Sequence, residues 1–441
     1  MSRPSRAPGA PGAAGAPGWL SGRAQPSRPG PQNAPGGGTV DTVMSDTDDR
    51  QAQATLGREP VRPAGKTGTA GPVSVIMPVR NAERNLAESV SHVLTQAYPG
   101  ELELVLAVGP SKDRTEEIAR ELAAADRRIT VVANPSGQIP NALNAAVRAS
   151  SNPVIVRVDV RSRLPVGYIA AAVRTLRQTG AANVGGVMAA EGITAFQQAV
   201  AWAMTSPAGV GSARFHTGGS EGPSDSVYLG AFRREAIEGV GGYDEQYLRG
   251  EDWELNYRIR EAGGLIWFKP ELRVTYRPRS TIGELASQYF LYGRWRRAVA
   301  RRHAGTINVR YLAPPATVIA LLFGTLAGFA GLASLAYRTG TWWQWLLTAG
   351  LIVPLSYVIG VLVVTARAGT DGRLSGRAVS WLPVVLATMH VSWGIGFLTS
   401  PRRLARAPSA RQAARPRPGS PAGHTDSQAD RSGGQAAQIQ P

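Results

Sequence analysis

Two acids stand side by side in "GEDWELNYRI", residues 250–259. Leu255, Ile259 and Ala262 recur at the spacing of one helical face, which puts Glu251 and Asp252 at the entrance of that helix. Acids in a first helical turn satisfy free N–H groups and the helix dipole; a carboxylate there can also accept a proton in a reaction. A third acid, Asp159, ends the apolar run "PVIVRVD" (153–159). At the carboxyl end of a parallel strand such a group is well placed to reach a metal-bound diphosphate, and the same position suits a loop or capping Asp. Farther along, "RWRRAVARRH" (294–303) gathers arginines into a stripe suited to anionic lipid.

The elements that must position these residues follow from hydrophobic patterning. "VSVIMPV" (73–79), "ELELVLAV" (101–108), "ITVVA" (129–133) and "PVIVRVD" are predicted strands, and the stretches near 82–97, 113–125 and 138–150 have helical composition. Alternation of helices with nearly continuous apolar strands predicts an α/β domain with a mostly parallel sheet covered on both faces. Less regular sequence, 181–278, follows. Within it "SPAGVGSARFHTGGSEGPSD" (206–225) is a polar, glycine-rich loop, suited either to a mobile lid or to plain disorder.

Three uncharged segments, 314–337, 341–366 and 378–398, are each long enough to cross a hydrocarbon core of roughly 30 Å. Trp342, Trp343 and Trp345 crowd the start of the second, as membrane-interface aromatics do. The stripe at 294–303, with Arg310, Arg367, Arg373 and Arg377, suits the cytoplasmic side. Three crossings would then leave Arg402, Arg403 and Arg406 on the opposite side, against the positive-inside rule. Either the rule fails at the last span, or one segment is re-entrant or interfacial. His390, inside the last segment, is given no role. Residues 1–70 and 401–441 are rich in Pro, Gly, Ala and Ser and are expected to be disordered tails.

Of 441 residues 48 are basic and 31 acidic, giving a formal charge of +17, and Lys66, Lys112 and Lys269 are the only lysines. That charge admits nucleic acid, anionic membrane or phosphorylated substrates as partners. The basic stripe abuts a membrane segment and lacks a recognisable nucleic-acid module, so no nucleic acid is expected. There is no cysteine, which excludes disulfides, thiolate nucleophiles and cysteine metal sites. No basic start followed by an apolar run marks a secretory leader in the first 70 residues.

Several motifs occur in a fixed order: "VSVIMPVRNAERNL" (73–86), Asp113 and Thr115 in "GPSKDRT", "NPSGQIPNALNAAVRAS" (134–150), Asp159, "VYLGAFRREAIEGVGGYDE" (227–245) and "GEDWELNYRIREAGG" (250–264). Together, across roughly 73–300, they resemble the family 2 glycosyltransferases, whose nucleotide-binding half has the Rossmann-like GT-A fold. "VGPSKDRT", "LGAFRRE" and "YGRWR" are similar to stretches of membrane-bound glucosyltransferases of succinoglycan-type exopolysaccharide assembly. The resemblance implies a GT-A domain at 71–280, an amphipathic basic interfacial helix at 281–312 and a membrane region at 313–400. It implies donor contacts from Pro78, Arg80, Asn81, Glu83, Asp113, Gly137, Asn144, Asp159 and Arg161. Asp252 matches the catalytic base, with Glu251 positioning the acceptor or capping the helix. Gln288, Arg294 and Trp295 are candidates for the diphosphate or acceptor.

Two departures bear on this expectation. Paired acids usual after the second strand are replaced by Val108 and Gly109, leaving Asp113 as the nearest acid. The Asp-x-Asp metal signature is Asp159-Val160-Arg161, so one carboxylate has become a cation. Mg²⁺ often relies on one or two carboxylates plus phosphates, and Mg²⁺ or Mn²⁺ on Asp159 remains the expectation; direct contact of Arg161 with the diphosphate is the alternative. The activity implied is inverting transfer of a hexose, specifically glucose from UDP-glucose, to a lipid-linked saccharide in exopolysaccharide or cell-envelope glycan synthesis. The enzyme would be multi-pass in the cell membrane with its catalytic domain cytoplasmic. A polyprenyl-phosphate sugar synthase, or an inactive nucleotide-sugar-binding scaffold of a polysaccharide export complex, are the alternatives.

Overall fold

The computed structural model describes residues 70–337 and 340–404. The expected tails lie outside these residues, apart from Ala70 and 401–404 at their inner ends. Four parallel strands open the chain: β1 (Val73–Val79), β2 (Leu102–Val108), β3 (Ile129–Ala133) and β4 (Val154–Arg157). They are joined by helices α1 (Leu86–Leu94), α2 (Thr115–Ala125) and α3 (Ile139–Ala149). These are the strands and helices the patterning predicts.

The chain then continues through β5 (Ser162–Arg163), α4 (Tyr168–Thr179), β6 (Asn183–Ala190) and α5 (Ala195–Met204). The 206–225 stretch contains two one-turn helices, α6 (Pro207–Val210) and α7 (Arg214–Thr217), and the strand β7 (Gly222–Pro223). It is held in place because Glu221 accepts hydrogen bonds from Trp267 Nε1 at 2.9 Å and Lys269 Nζ at 2.8 Å. Next come β8 (Tyr228–Arg233), α8 (Arg234–Gly239), α9 (Glu251–Glu261) and β9 (Ile266–Tyr276). The nine-stranded sheet runs β3-β2-β1-β4-β8-β6-β9-β5, with β7 paired to β9. Antiparallel β8 separates the parallel β1–β4 block from the β6–β9 pair, itself parallel.

Strand residues alternate between two cores, as a sheet covered on both faces requires. Val75, Met77, Leu104 and Leu106 meet α1, α2 and α4; Ile76, Val105, Ala107 and Ile155 meet α3, α8 and α9. The carboxyl ends of β1–β4 therefore lie along one edge, where α9 also begins.

After the sheet, α10 (Ile282–Arg302) is capped by Thr281, whose hydroxyl accepts from the Glu284 N–H at 3.3 Å. It stops at Arg302 rather than continuing to 312, and Gly305 beyond it turns at φ +80°. The apolar helices α11 (Ala313–Tyr337), α12 (Trp342–Thr348), α13 (Ile352–Thr370) and α14 (Gly376–Leu398) complete the described chain. Three runs, Val309–Tyr337, Trp342–Thr370 and Gly376–Leu398, are long and apolar enough to cross a membrane. A third core ties α14 to the α/β half: Leu382, Val385, Leu386 and Met389 pack with Ala199, Val200, Ala203 and Met204 of α5 and with Leu285 and Tyr289 of α10.

Helices α10 and α14 cross at two glycines. A Cβ on Gly293 would stand 2.0 Å from the Trp393 carbonyl oxygen, and one on Gly396 would stand 2.0 Å from that of Phe290. Both obstacles are backbone, which cannot rotate away. The roughly 1 kcal/mol of helix propensity gained by replacing glycine is outweighed by overpacking of about 1–3 kcal/mol or more. Gly293→Leu is therefore expected to lower the thermal unfolding midpoint in detergent, whereas Gly360→Leu, at a position open to solvent or lipid, leaves it within error.

Candidate active site

The helix that carries the paired acids begins at Gly250, which adopts φ +75° as its N-cap, a conformation that costs glycine little. Neither Glu251 nor Asp252 caps the helix through its side chain. Both instead face Arg157, the last residue of β4. Its guanidinium is buried, with 3% of the side chain exposed. It donates from Nη2 to Glu251 Oε1 at 3.2 Å, from Nη1 to Asp252 Oδ1, and from Nε to Asp159 Oδ1 at 3.1 Å. Three acids from two distant parts of the sequence thus share one cation. Arg157 was not among the sequence candidates; its signal was a cation in the otherwise apolar run "VIVRV", which is costly to bury unless partners are found for it.

Asp159 and Asp252 keep 35% and 27% of their side chains exposed, so a ligand can reach both. Glu251 is buried. Burial pushes the Asp252 carboxyl up to about 7; Arg157 opposes the rise, and the negative charges of Glu251 and Asp159 add to it.

The loop before α9 is held from two sides. Asn144 on α3 donates to the Tyr243 carbonyl at 2.8 Å and accepts from the Tyr243 N–H at 2.8 Å. Arg258 on α9 donates to the carbonyls of Val240 and Gly242 at 2.6 and 2.9 Å. Asn144, a donor-binding candidate from sequence, thus spends both ends of its amide on shaping this loop.

The remaining donor candidates meet at the carboxyl ends of β1–β3. Pro78 is the second-last residue of β1. Arg80 bridges two neighbouring loops, donating to the carbonyls of Pro110 at 3.2 Å and Gly137 at 3.1 Å. Asn81 accepts from the Lys112 N–H at 2.9 Å, and the Asp113 carboxylate accepts from the N–H groups of Glu83 at 3.3 Å and Thr115 at 3.2 Å. Glu83 in turn accepts from the Arg114 N–H at 3.3 Å. Arg161 is exposed and enters no ion pair among the described residues.

On α10, Trp295 is buried against Tyr247, their ring centroids 6.1 Å apart. Gln288 is spent on the Tyr292 hydroxyl at 2.8 Å and on Arg279 Nε at 3.2 Å, while the Arg294 guanidinium lies over Phe290. None of the three hydrogen-bonds to the acids around Arg157. Among the described residues no group of three His, Cys, Asp or Glu could by itself hold a metal ion. Asp159, partly open just beyond the end of β4, could share a divalent cation with a phosphorylated ligand.

Removing the shared cation leaves three carboxylates together, and Arg157→Met is expected to cost about 3–5 kcal/mol, read from chemical unfolding. The raised value at Asp252 also has a sign. An unfolded Asp titrates near 3.9, so between about pH 4 and 7 the native chain holds a proton that the unfolded chain has lost, and stability falls as pH rises through that window. Asp252→Asn removes this component: its melting temperature is expected to decline less than that of the unsubstituted protein between about pH 5 and 8.

A family model described as Glycosyl transferase family 2 matches residues 74–241. The chain is 29% identical over 325 residues to the succinoglycan biosynthesis protein ExoA of Rhizobium meliloti (strain 1021), covering 73% of this chain and 93% of that protein. It is 22% identical over 268 residues to a dolichyl N-acetyl-alpha-D-glucosaminyl phosphate 3-beta-D-2,3-diacetamido-2,3-dideoxy-beta-D-glucuronosyltransferase of Methanococcus voltae, covering 58% and 82%. Among solved structures, the mannosyltransferase PcManGT from Pyrobaculum calidifontis, in complex with GDP-Man and Mn²⁺, aligns with a TM-score of 0.48 at 17% identity, covering 79% of this chain and 93% of that one. The chain carries a family 2 glycosyltransferase domain over residues 74–241 and is a glycosyltransferase.

Proposed function

We propose that the protein moves a hexose, specifically glucose from UDP-glucose, onto a lipid-linked saccharide at the bilayer surface, with inversion at the anomeric carbon. The step would belong to exopolysaccharide or cell-envelope glycan synthesis, with the catalytic domain on the cytoplasmic side. The observation that carries this reading is the gathering of Asp159 and Asp252, both partly open, around one buried guanidinium at the carboxyl ends of the strands. The similarity to a succinoglycan biosynthesis protein over most of both chains supports the biosynthetic setting.

A sugar hydroxyl is a weak nucleophile at neutral pH, and Asp252 is the group to take its proton. As that proton passes to the carboxylate, the acceptor oxygen bonds to the anomeric carbon, and the bond to the nucleotide diphosphate breaks with its electron pair leaving on the diphosphate. Attack from the face opposite the leaving group inverts the centre. Glu251, buried on Arg157, fixes the guanidinium that orients Asp252. Asp159 would hold Mg²⁺ or Mn²⁺ together with diphosphate oxygens and water, and the cation would neutralise charge building on the leaving group. Arg80, Gly137 and Asp113 shape the loop rim on which the nucleotide would rest.

Transfer of radiolabelled glucose from UDP-glucose into lipid extract, by membranes containing the full chain, tests this reading. Asp252→Asn is expected to lose about 10²–10⁴-fold in rate while keeping its fold, and chelation of divalent cations is expected to suppress transfer. Because the base must be ionised, kcat/KM should rise with pH through about 7, the value to which burial pushes Asp252. Undiminished transfer by Asp252→Asn would sink the base assignment.

A further inference from the structure

The three apolar runs are not equivalent. Over an 18-residue apolar stretch of each, 11% of the first and none of the second is buried inside the protein, against 39% of the third. At roughly 35 Å, α14 is long enough to span a bilayer, so its length does not decide its placement; its attachments do. We infer that α14 does not cross the membrane but lies along the headgroup–acyl boundary on the catalytic side, leaving α11 and α12–α13 as a two-span hairpin.

Both ends of α14 are bonded to the catalytic half. At its start, Ser375 donates from its hydroxyl to Gln198 Oε1 in α5 at 3.2 Å, and Trp381 meets Phe196 of α5 edge to face at 5.5 Å between centroids. At mid-length, the His390 ring contacts the Ala208 carbonyl at 2.7 Å. At its end, Arg297 of α10 donates to the carbonyls of Phe397 and Leu398 at 2.9 and 3.0 Å, and Arg301 to those of Ser400 and Pro401 at 2.7 and 3.0 Å.

The end of α10 is itself anchored beside the candidate active site. Arg302 pairs with Asp244 at 3.0 Å, and the next residue, His303, pairs with Glu254 of α9 at 3.2 Å. Ser375 and Pro401 therefore sit on one side. Were α14 to span, α10 would have to follow it into the hydrocarbon carrying Arg294, Arg296, Arg297 and Arg301, and charged side chains there are strongly disfavoured.

The rest of α14 exposes Val384, Ile395 and Leu398, with Trp381 partly open at the margin of its contact with α5. Helices α11 and α13 likewise expose Leu322, Phe323, Phe329, Leu355 and Leu362, and the occupant that such apolar side chains fit is lipid. The placement also removes the conflict in arginine distribution. With two crossings, Arg310, Arg367, Arg373, Arg377, Arg402 and Arg403 all lie on the catalytic side, where an anionic leaflet would meet them.

The absence of cysteine from the chain allows a clean test that is independent of activity. Single variants Ala124→Cys on α2, Thr339→Cys between α11 and α12, and Ser409→Cys beyond α14 are labelled in sealed vesicles with a membrane-impermeant maleimide. Ala124→Cys and Ser409→Cys are expected to label together with the catalytic face outward and to lose labelling together with that face inward, while Thr339→Cys shows the reverse. Labelling of Ser409→Cys together with Thr339→Cys, or of all three from one face, overturns the inference. Trypsin digestion of the unsubstituted protein in the same vesicles reads the same side. Removal of the tail beyond Leu404 with the catalytic face outward supports the placement, and its protection overturns it.

Discussion

A buried guanidinium cannot be left alone, and the catalytic half is arranged around that constraint. Arg157 sits at the end of a central strand with 3% of its side chain exposed. Desolvating such a charge costs several kcal/mol unless carboxylates and hydrogen bonds offset it. Asp159 comes from two residues farther along the same strand end; Glu251 and Asp252 come from a helix 94 and 95 residues away. The strand and the helix must therefore meet in one register. Carboxylates outnumber cations at this spot, and Asp252, under the combined weight of burial and like charge, keeps its proton to near neutrality. The guanidinium thus fixes the position of Asp252, while burial raises its proton affinity against the guanidinium's pull.

The supports of α9 extend that constraint outward. Asn144 and Arg258 grip the turn at 240–243 from opposite sides, and Glu254 on the same helix accepts Arg258 from within and His303 from α10. Trp295 packs on Tyr247 just before the helix. The helix bearing Asp252 is in this way fastened directly to the basic helix that leads into the apolar segments. A short path thus joins Asp252 to the helices that are long and apolar enough to cross a membrane.

Different forces act on the two halves. In the α/β half, burial of Val, Leu and Ile from water drives strands and helices together. Among apolar helices that face lipid, close approach matters more than hydrophobicity, because lipid is as apolar as leucine. Gly293 and Gly396 bring α10 and α14 into backbone contact, and Gly324, Gly328 and Gly331 do the same for α11 against the α12–α13 arm. Small residues thus allow the close backbone approach, and the polar bonds at the ends of α14 add to it.

Periodicity in the sequence was sufficient for β1 to β4, the helices between them and the three apolar runs, because each depends on side-chain spacing within a single stretch. The order of short motifs singled out Asp159 and Asp252, two acids that the fold brings to one guanidinium. What lay beyond the sequence was pairing across distance. No local pattern connects Arg157 with Glu251 and Asp252, turns Asn144 toward Tyr243, or buries Trp295 against Tyr247. Nor does an apolar run of sufficient length reveal whether a catalytic domain already holds both of its ends, as for α14. Composition records how much each segment prefers to leave water; only the folded chain decides what it meets there.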